Sequence, residues 1–131
     1  MSIFVDSNIP MYLVGGDHPN RDRTRALLEV AVAARQRLVT DAETFQELLH
    51  RYVAINRREA IEPAWNALRR LVDETLPIEL EDVERARQLV LTSRLGARDA
   101  LHTAVMQRHD IPEILTFDTA FDQIPGIRRR A

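Results

Sequence analysis

Cysteine and lysine are both absent from this chain of 131 residues. Without cysteine, a disulfide scaffold, a cysteine-ligated zinc or iron–sulfur site and a thiol nucleophile are all excluded. Without lysine, the chain has neither a P-loop lysine nor a Schiff-base lysine, and all 18 basic residues are arginines. These two absences remove several large enzyme classes before any motif is considered.

Long apolar runs and aromatic residues are also scarce. The apolar stretches span only a few residues, which argues against a membrane-spanning helix. The opening Met-Ser-Ile-Phe-Val-Asp lacks the basic and apolar regions of a signal peptide, so we expect a cytoplasmic protein that does not bind membranes. Because aromatic residues make up only 5% of the chain, we expect any nucleic acid to be contacted through phosphates and metal ions rather than by stacking on rings.

The length and composition predict a single domain, residues 1–131. Hydrophobic residues make up 45% of the chain and charged residues 29%, with a net charge of −2. A chain of this size can bury about two thirds of its unfolded surface, so it needs no covalent staple. The arginines cluster at a few places, including the end of the chain, and we interpret most of these clusters as solvated faces.

Short β-prone segments alternate with longer segments of helical periodicity, which predicts an α/β fold with a mainly parallel sheet flanked by helices. The predicted strands are 3–5, 38–39, 77–80, 113–117 and a short edge strand at 124–127. The predicted helices are a short one after Asn8, then 21–36, 40–56, 59–73, 81–94 and 98–109, with residues 15–20 as a loop and a capping box at Thr40-Asp41-Ala42-Glu43.

Two acidic residues stand at the ends of predicted strands. Asp6 follows Ile3-Phe4-Val5, and Asp118 closes Leu-Thr-Phe-Asp, with Asp122 four residues further on. Ligand sites in open α/β sheets lie beyond the carboxyl ends of the strands. Each of these acids taken alone also fits a helix cap or a turn.

Further acidic residues lie on predicted helices. Asp99 is in the first turn of its helix, where the helix dipole favours an acid in any case. Glu43 and Glu47 share one face of the preceding helical region, and periodicity does not choose between them. On the helical wheel, Glu47 lies opposite the apolar stripe of Phe45, Leu49 and Tyr52 and so resembles a solvated residue.

A cluster of these carboxylates would need a counter-charge. Two carboxylates 4 Å apart repel by about 4 kcal/mol at an effective dielectric constant of 20, so such a cluster must bind protons or a cation. Oxygen ligands without cysteine or histidine favour Mg²⁺ or Mn²⁺. Acidic clusters that hold such ions are a common means of phosphodiester cleavage.

The four histidines are not site candidates on sequence grounds. His18, His50, His102 and His109 contain no pair at the i, i+4 spacing of zinc ligands, and no HExxH occurs. We expect each to be a surface residue or a hydrogen-bonded structural one.

Four segments resemble the PIN domain, and their order and the chain length are most similar to the VapC-type toxins of toxin–antitoxin pairs. The resemblance covers essentially the whole chain, and the last two segments are its most specific part. The segments are Phe-Val-Asp-Ser-Asn, Val-Thr-Asp-Ala-Glu-Thr-Phe-Gln-Glu-Leu-Leu, Gly-Ala-Arg-Asp-Ala-Leu-His-Thr-Ala and Ile-Leu-Thr-Phe-Asp-Thr-Ala-Phe-Asp-Gln-Ile-Pro-Gly-Ile.

The resemblance implies a three-layer α/β/α fold and a Mg²⁺-dependent ribonuclease that is inhibited by a cognate antitoxin protein and is commonly a homodimer. It also implies that Ser7 and Thr116 supply hydroxyl groups near the site. The catalytic and metal-binding acids that it implies are Asp6, Glu47 (in preference to Glu43), Asp99 and Asp118, with Asp122 as an auxiliary residue.

Other functions compete with the toxin interpretation. A phosphoryl-transfer module of the receiver or haloacid-dehalogenase type normally needs a lysine, which this chain lacks. A catalytically inert PIN-like binding module would be expected to lack one of the four acids, and all four are present. A housekeeping RNA-processing nuclease of the same family remains an alternative, because the acids do not determine which RNA is cleaved.

Overall fold

The computed structural model describes residues 1–131 and contains one five-stranded parallel sheet in the order β3-β2-β1-β4-β5. Short 3₁₀ helices occupy Arg58–Ala60 and Thr119–Gln123. The strands are β1 Ser2–Val5, β2 Arg37–Asp41, β3 Glu74–Leu76, β4 Glu113–Leu115 and β5 Arg128–Arg130. The helices are α1 Asn8–Val14, α2 Pro19–Ala33, α3 Ala42–Ala54, α4 Ile61–Leu71, α5 Leu80–Thr92 and α6 Ala97–Arg108.

The direction of chain progression across the sheet reverses at β1. Phe4 of β1 is paired with Val39 of β2 on one side and with Ile114 of β4 on the other. The chain first adds β2 and then β3 on one side of β1. It then crosses back and adds β4 and β5 on the other side of β1. Such a reversal opens a crevice at the carboxyl ends of the two central strands.

The alternating side chains of β1 divide the core into two layers. Ile3 and Val5 pack on one face of the sheet with residues of α1 to α4, including Leu48 and Leu68. Phe4 points to the opposite face and packs with residues of α6 and β4. Residues of α5 and α6 form a third cluster outside that layer. The predicted α/β class and three-layer arrangement are therefore confirmed.

The third strand lies earlier in the chain than the sequence predicted. The expected strand at 77–80 is wrong, because β3 ends at Leu76 and α5 begins at Leu80. Pro77 has no N–H to donate to a strand ladder. Glu79 then starts α5 through a capping box with Asp82, in which each side chain accepts a hydrogen bond from the other residue's backbone amide.

The edge strand lies later than predicted. Residues 124–127 are not a strand, and the arginines Arg128–Arg130 pair with β4 instead. Gly126 has a φ of 84°, which ends any extended run before the arginines. Glu113 accepts hydrogen bonds from both Arg128 and Arg130, at 3.3 and 3.2 Å, so the charged strand is compensated where it meets its neighbour.

The predicted helices are present, with starts and ends shifted by up to three residues. α2 begins at Pro19 rather than at residue 21, because His18 caps the helix and proline is well suited to the first helical position. The cap of α3 is Asp41 and not Thr40, since Asp41 Oδ1 accepts a hydrogen bond from the Thr44 amide at 2.9 Å. None of the helices combines the length and apolar character needed to cross a bilayer.

Candidate active site

Four of the predicted acidic residues line one cavity of ≈ 540 Å³ at the carboxyl ends of the central strands. Asp6 directly follows β1, and Asp118 lies three residues beyond the end of β4. Glu47 reaches the cavity from α3, and Asp99 from the first turn of α6. The fold thus brings together carboxylates from four separate elements.

Asp6 is the most buried of these acids. Its Oδ1 accepts a hydrogen bond from the Ser7 amide at 2.8 Å, and its Oδ2 accepts one from the Thr116 hydroxyl at 2.7 Å. Burial raises the pKa of Asp6, the nearby positive charge of His102 partly lowers it, and the charge of Glu47 raises it further. The carboxylate oxygens of Asp6 are therefore fixed in place, and a nearby cation would stabilise their ionised form.

Glu47 is held in the cavity rather than exposed on the helix surface. Its side chain is 14% exposed, and its Oε2 accepts a hydrogen bond from the Ser7 hydroxyl at 2.9 Å. The other candidate on this helix, Glu43, does not line the cavity and lies 3.9 Å from Arg98 Nε. The geometry favours Glu47, as the resemblance did, although the helical wheel placed Glu47 towards solvent.

His102 is a site residue that the sequence did not single out. Its wholly buried imidazole lies with Nδ1 2.8 Å from Asp41 Oδ2 and with Nε2 hydrogen-bonded to Glu47 Oε1. Nε2 is also 3.9 Å from Asp6 Oδ1. Burial opposes protonation of the ring, but Asp41 and Glu47 outweigh burial and raise the pKa of His102 well above its ordinary value. The ring is thus an internal cation beneath the acids.

Two sequence features could have pointed to this pair. Asp41 is the last residue of β2, so it is a third acid at a strand end, although the sequence predicts the strand only over 38–39 and places Asp41 inside a capping box that begins at Thr40. His102 follows Asp99 by three residues on α6, which places both residues on the same face of the helix. The expectation that His102 is hydrogen-bonded is confirmed, but its position within the site was missed.

Asp99 and Asp118 form a second group in the same cavity. Burial, a hydrogen bond with Asp118, and the charges of Asp6 and Asp118 together raise the pKa of Asp99 to about 8. Asp118 Oδ1 accepts a hydrogen bond from the Ala120 amide at 2.9 Å, which fixes its orientation. Without a bound cation, Asp99 therefore holds a proton at neutral pH.

Asp122, the predicted auxiliary acid, is not part of this cavity. It lies in the 3₁₀ turn after Asp118, where its two oxygens accept hydrogen bonds from Arg129 Nε at 3.0 Å and from a terminal nitrogen of Arg129 at 3.2 Å. Its observed contact is therefore an ion pair that connects this turn to β5.

The donor set suits a hard divalent cation. Asp6, Glu47 and His102 each offer an atom within 4.8 Å of the others. A protonated His102 donates from both nitrogens and has no lone pair for a metal, so the carboxylate oxygens are the available ligands. Oxygen ligands are those that Mg²⁺ and Mn²⁺ prefer. The residues present therefore fit a divalent cation, and they do not identify which one it is.

The fold and the site together define an α/β protein with a carboxylate cluster at the switch point of a parallel sheet. The chain belongs to the PIN domain family, whose profile matches residues 3–127. It is 58% identical over 130 residues to a protein named Ribonuclease VapC13 from Mycobacterium tuberculosis, covering 98% of this chain and 99% of that protein. The resemblance to the PIN domain and its VapC-type members is thereby confirmed.

More distant relatives are also VapC or VapBC proteins by name. A second protein of Mycobacterium tuberculosis, named Ribonuclease VapC23, is 46% identical over 117 residues, which cover 88% of this chain and 92% of that protein. Among solved structures, VapBC2 from Rickettsia felis bound to a DNA fragment from its promoter superposes with a TM-score of 0.75 at 14% identity, covering 99% of this chain and 98% of that chain. At 14% identity, this structural superposition supports the fold alone.

Proposed function

We propose that this PIN-domain protein is a metal-dependent ribonuclease that uses Asp6, Glu47, Asp99 and Asp118. One observation carries the proposal: these four carboxylates come from four elements and line one cavity, where the pKa of Asp99 is raised to about 8. A perturbed carboxyl group in a cleft is typical of a functional site. The relatives named as ribonucleases are 58% and 46% identical to this chain over the aligned residues, which supports the same activity here.

The residues have distinct roles in this proposal. A bound Mg²⁺ or Mn²⁺ supplies Lewis-acid charge for hydrolysis of a phosphodiester bond. Asp6, Glu47, Asp99 and Asp118 would hold it through carboxylate oxygens. Ser7 and Thr116 orient Asp6 through the hydrogen bonds described above, and Ser7 also orients Glu47. Asp99 would give up its proton on binding the cation, because a nearby positive charge favours the ionised form.

Two arginines in the cavity suit an anionic substrate. Arg51 and Arg57 line the same cavity as the acids, and Arg51 lies one helical turn after Glu47 on α3. Arg57 is paired with Glu59, its Nε lying 2.5 Å from Oε1. A guanidinium group beside a carboxylate cluster can bind a phosphate that flanks the scissile bond. This arrangement supports RNA as the substrate, although the target sequence depends on other contacts.

The enzymatic proposal is tested by cleavage of structured RNA with Mg²⁺ and with EDTA. We expect cleavage only with the metal, and a loss of orders of magnitude in Asp6→Asn and Asp99→Asn, because each change removes a ligand charge at nearly constant shape. Asp122→Asn is the matched control and should retain activity. Full cleavage in EDTA contradicts a metal nuclease, and absence of cleavage under all conditions favours the inert binding module.

We further propose that the nuclease is the toxin of a toxin–antitoxin pair. An acidic cavity suits a basic segment of an inhibitory protein, and the relatives carry VapC names. Expression of the chain alone should arrest growth, whereas co-expression with the gene beside its own should not. Equal growth in both cultures would favour a housekeeping role in RNA processing.

Three further expectations belong to the same proposal. They are that residues 1–131 form a single domain, that the protein assembles as a homodimer, and that it acts in the cytoplasm. The single sheet and the family match to residues 3–127 support the first. The resemblance supports the second, and an RNA substrate supports the third. Light scattering of the purified protein tests the dimer, and a monomeric mass at micromolar concentration would contradict it.

A further inference from the structure

Three rings contact one another in a row, and two of them line the cavity that holds the acids. The exposed ring of His18 packs on Tyr12, with ring centres 4.9 Å apart and planes at 32°. Tyr12 in turn meets Phe117 edge-on, at 5.3 Å and 85°. His18 and Tyr12 both line the cavity, and Phe117 immediately precedes Asp118. The row therefore begins at an exposed ring and ends at the residue that precedes a site carboxylate in the chain.

The outermost ring has a fixed orientation although it is exposed. His18 Nδ1 accepts a hydrogen bond from the Asn20 amide at 3.0 Å, so His18 is the N-cap of α2. Tyr12 supports one face of the ring. An exposed side chain would ordinarily lose freedom on binding a ligand, and here the capping bond and the packing have already reduced that freedom.

Positive charge accompanies the rings. The guanidinium carbon of Arg23 lies 5.6 Å from the centre of the Phe117 ring, and Arg23 is on α2, the helix that His18 caps. Rings supported by a neighbouring cation are typical of surfaces that bind single-stranded nucleic acid, where bases stack on the rings and arginines attract phosphates.

We propose that the His18 ring, supported by Tyr12, is the platform on which a base of single-stranded RNA stacks when a neighbouring phosphate lies at the carboxylates. This inference rests on the proposed function and adds a contact that selects unpaired RNA. The low aromatic content led us to expect no stacking of bases on rings. That content of 5% counts only Phe, Trp and Tyr, so it leaves out histidine, and a composition does not show where the rings lie in the structure.

Two substitutions separate stacking from capping. His18→Asn removes the ring but keeps a strong N-cap, since asparagine is among the preferred capping residues. His18→Phe keeps a ring but removes the cap acceptor. His50→Asn is the matched control, because His50 is an exposed histidine of α3 that does not line the cavity.

The cleavage experiment measures kcat and KM on a single-stranded oligoribonucleotide with Mg²⁺, alongside thermal melts. We expect His18→Asn to raise KM about tenfold with kcat within about twofold of wild type and an unchanged Tm. His18→Phe should lower Tm and keep a KM near wild type, and His50→Asn should match wild type in all three. A wild-type KM in His18→Asn, or the same increase in His18→Phe, overturns the platform.

A binding experiment keeps the two proposals distinguishable. Oligoribonucleotides carrying 2-aminopurine at each position in turn report stacking as loss of fluorescence. We expect one position to be quenched by wild type and His18→Phe but not by His18→Asn. If wild type binds RNA with this pattern but cleaves none, the proposed function fails and the platform stands. If no position depends on His18, or if His18→Asn weakens only antitoxin binding, the platform is overturned.

Discussion

Asp41 and His102 form an ion pair that is entirely buried beneath the cavity, with Nδ1 2.8 Å from Oδ2. The other oxygen of Asp41 accepts hydrogen bonds from the amide and hydroxyl of Thr44, at 2.9 and 3.1 Å, and so caps α3. The other nitrogen of His102 contacts Glu47 on that same helix. One buried pair therefore fixes both the start of α3 and the carboxylate that α3 carries.

Replacing His102 should destabilise the protein through the charge it leaves behind. In His102→Leu, Asp41 stays buried without its partner, which should reduce the free energy of unfolding by ~3 kcal/mol or more at pH 7. The double variant Asp41→Asn/His102→Leu removes that charge and should recover part of the loss. Urea unfolding of wild type, both single variants and the double variant measures the coupling. Simple addition of the two single losses would contradict a charge-coupled pair.

The sequence rules place two of the acids at one edge of the sheet, but they do not indicate the pair of Asp41 and His102. Asp6 and Asp118 follow apolar strands, so the rule for open α/β sheets places them at one edge. Asp41 also ends a strand, but the predicted strand stops at residue 39 and the predicted cap is Thr40, so these patterns do not mark Asp41 as an acid at a strand end. His102 could be connected to Asp41 only by knowing that α6 packs across from α3, which depends on the tertiary structure.

The two misplaced strands have a common cause. β3 and β5 are the edge strands, with three residues each and ladder bonds on one side only. Their sequences, Glu-Thr-Leu and Arg-Arg-Arg, contain only one residue of high β propensity, Thr75. Apolar segments such as 77–80 and 124–127 look more like strands, yet Pro77 and Gly126 interrupt them. Ion pairs accompany both edges, between Arg37 and Glu74 at β3 and between Glu113 and the arginines of β5, so an apolar pattern does not reveal these strands.

A second ion pair, outside the cavity, should affect stability without affecting cleavage. Burial opposes ionisation of Asp82, but hydrogen bonds from Arg108, at 2.7 and 2.9 Å, and from the Glu79 amide outweigh it and lower the pKa of Asp82. A lowered carboxyl pKa stabilises the folded state above the unfolded value of about 3.9. This contribution is lost as the pH falls through the folded pKa.

Arg108→Gln should therefore lower Tm at pH 7, and the difference from wild type should shrink as the pH approaches 3. Arg85→Gln is the control, because Arg85 also connects α5 to α6 but through the neutral side chain of Gln107, at 3.0 Å. Thermal melts across this pH range provide the comparison. A Tm difference that is independent of pH would show that the Asp82 contact does not lower its pKa, and a loss of RNA cleavage would contradict a purely structural role.

The raised pKa of Asp99 predicts the opposite pH dependence. A carboxyl group whose pKa rises from the ordinary value of about 3.9 to about 8 on folding destabilises the metal-free protein progressively between those two values. Asp99→Asn removes this titration. In EDTA, the Tm of Asp99→Asn relative to wild type should therefore increase from pH 5 to pH 8, whereas Asp122→Asn should show no such trend. A constant difference would contradict the raised pKa.

Metal binding should be visible in stability as well as in activity. Because the carboxylates converge only in the folded protein, Mg²⁺ should raise the wild-type Tm with concentration, reaching a stabilisation of ~2.7 kcal/mol at 100 times the dissociation constant. Asp99→Asn has one ligand charge fewer and should respond less, although it melts no lower than wild type in EDTA. Asp122→Asn should respond as wild type does, since the Asp122 carboxylate is already paired with Arg129.

Melts of the three proteins with Mg²⁺, with Mn²⁺ and after EDTA test this arrangement. Identical responses in wild type and Asp99→Asn would remove Asp99 from the cation site, and a reduced response in Asp122→Asn would restore Asp122 as an auxiliary ligand.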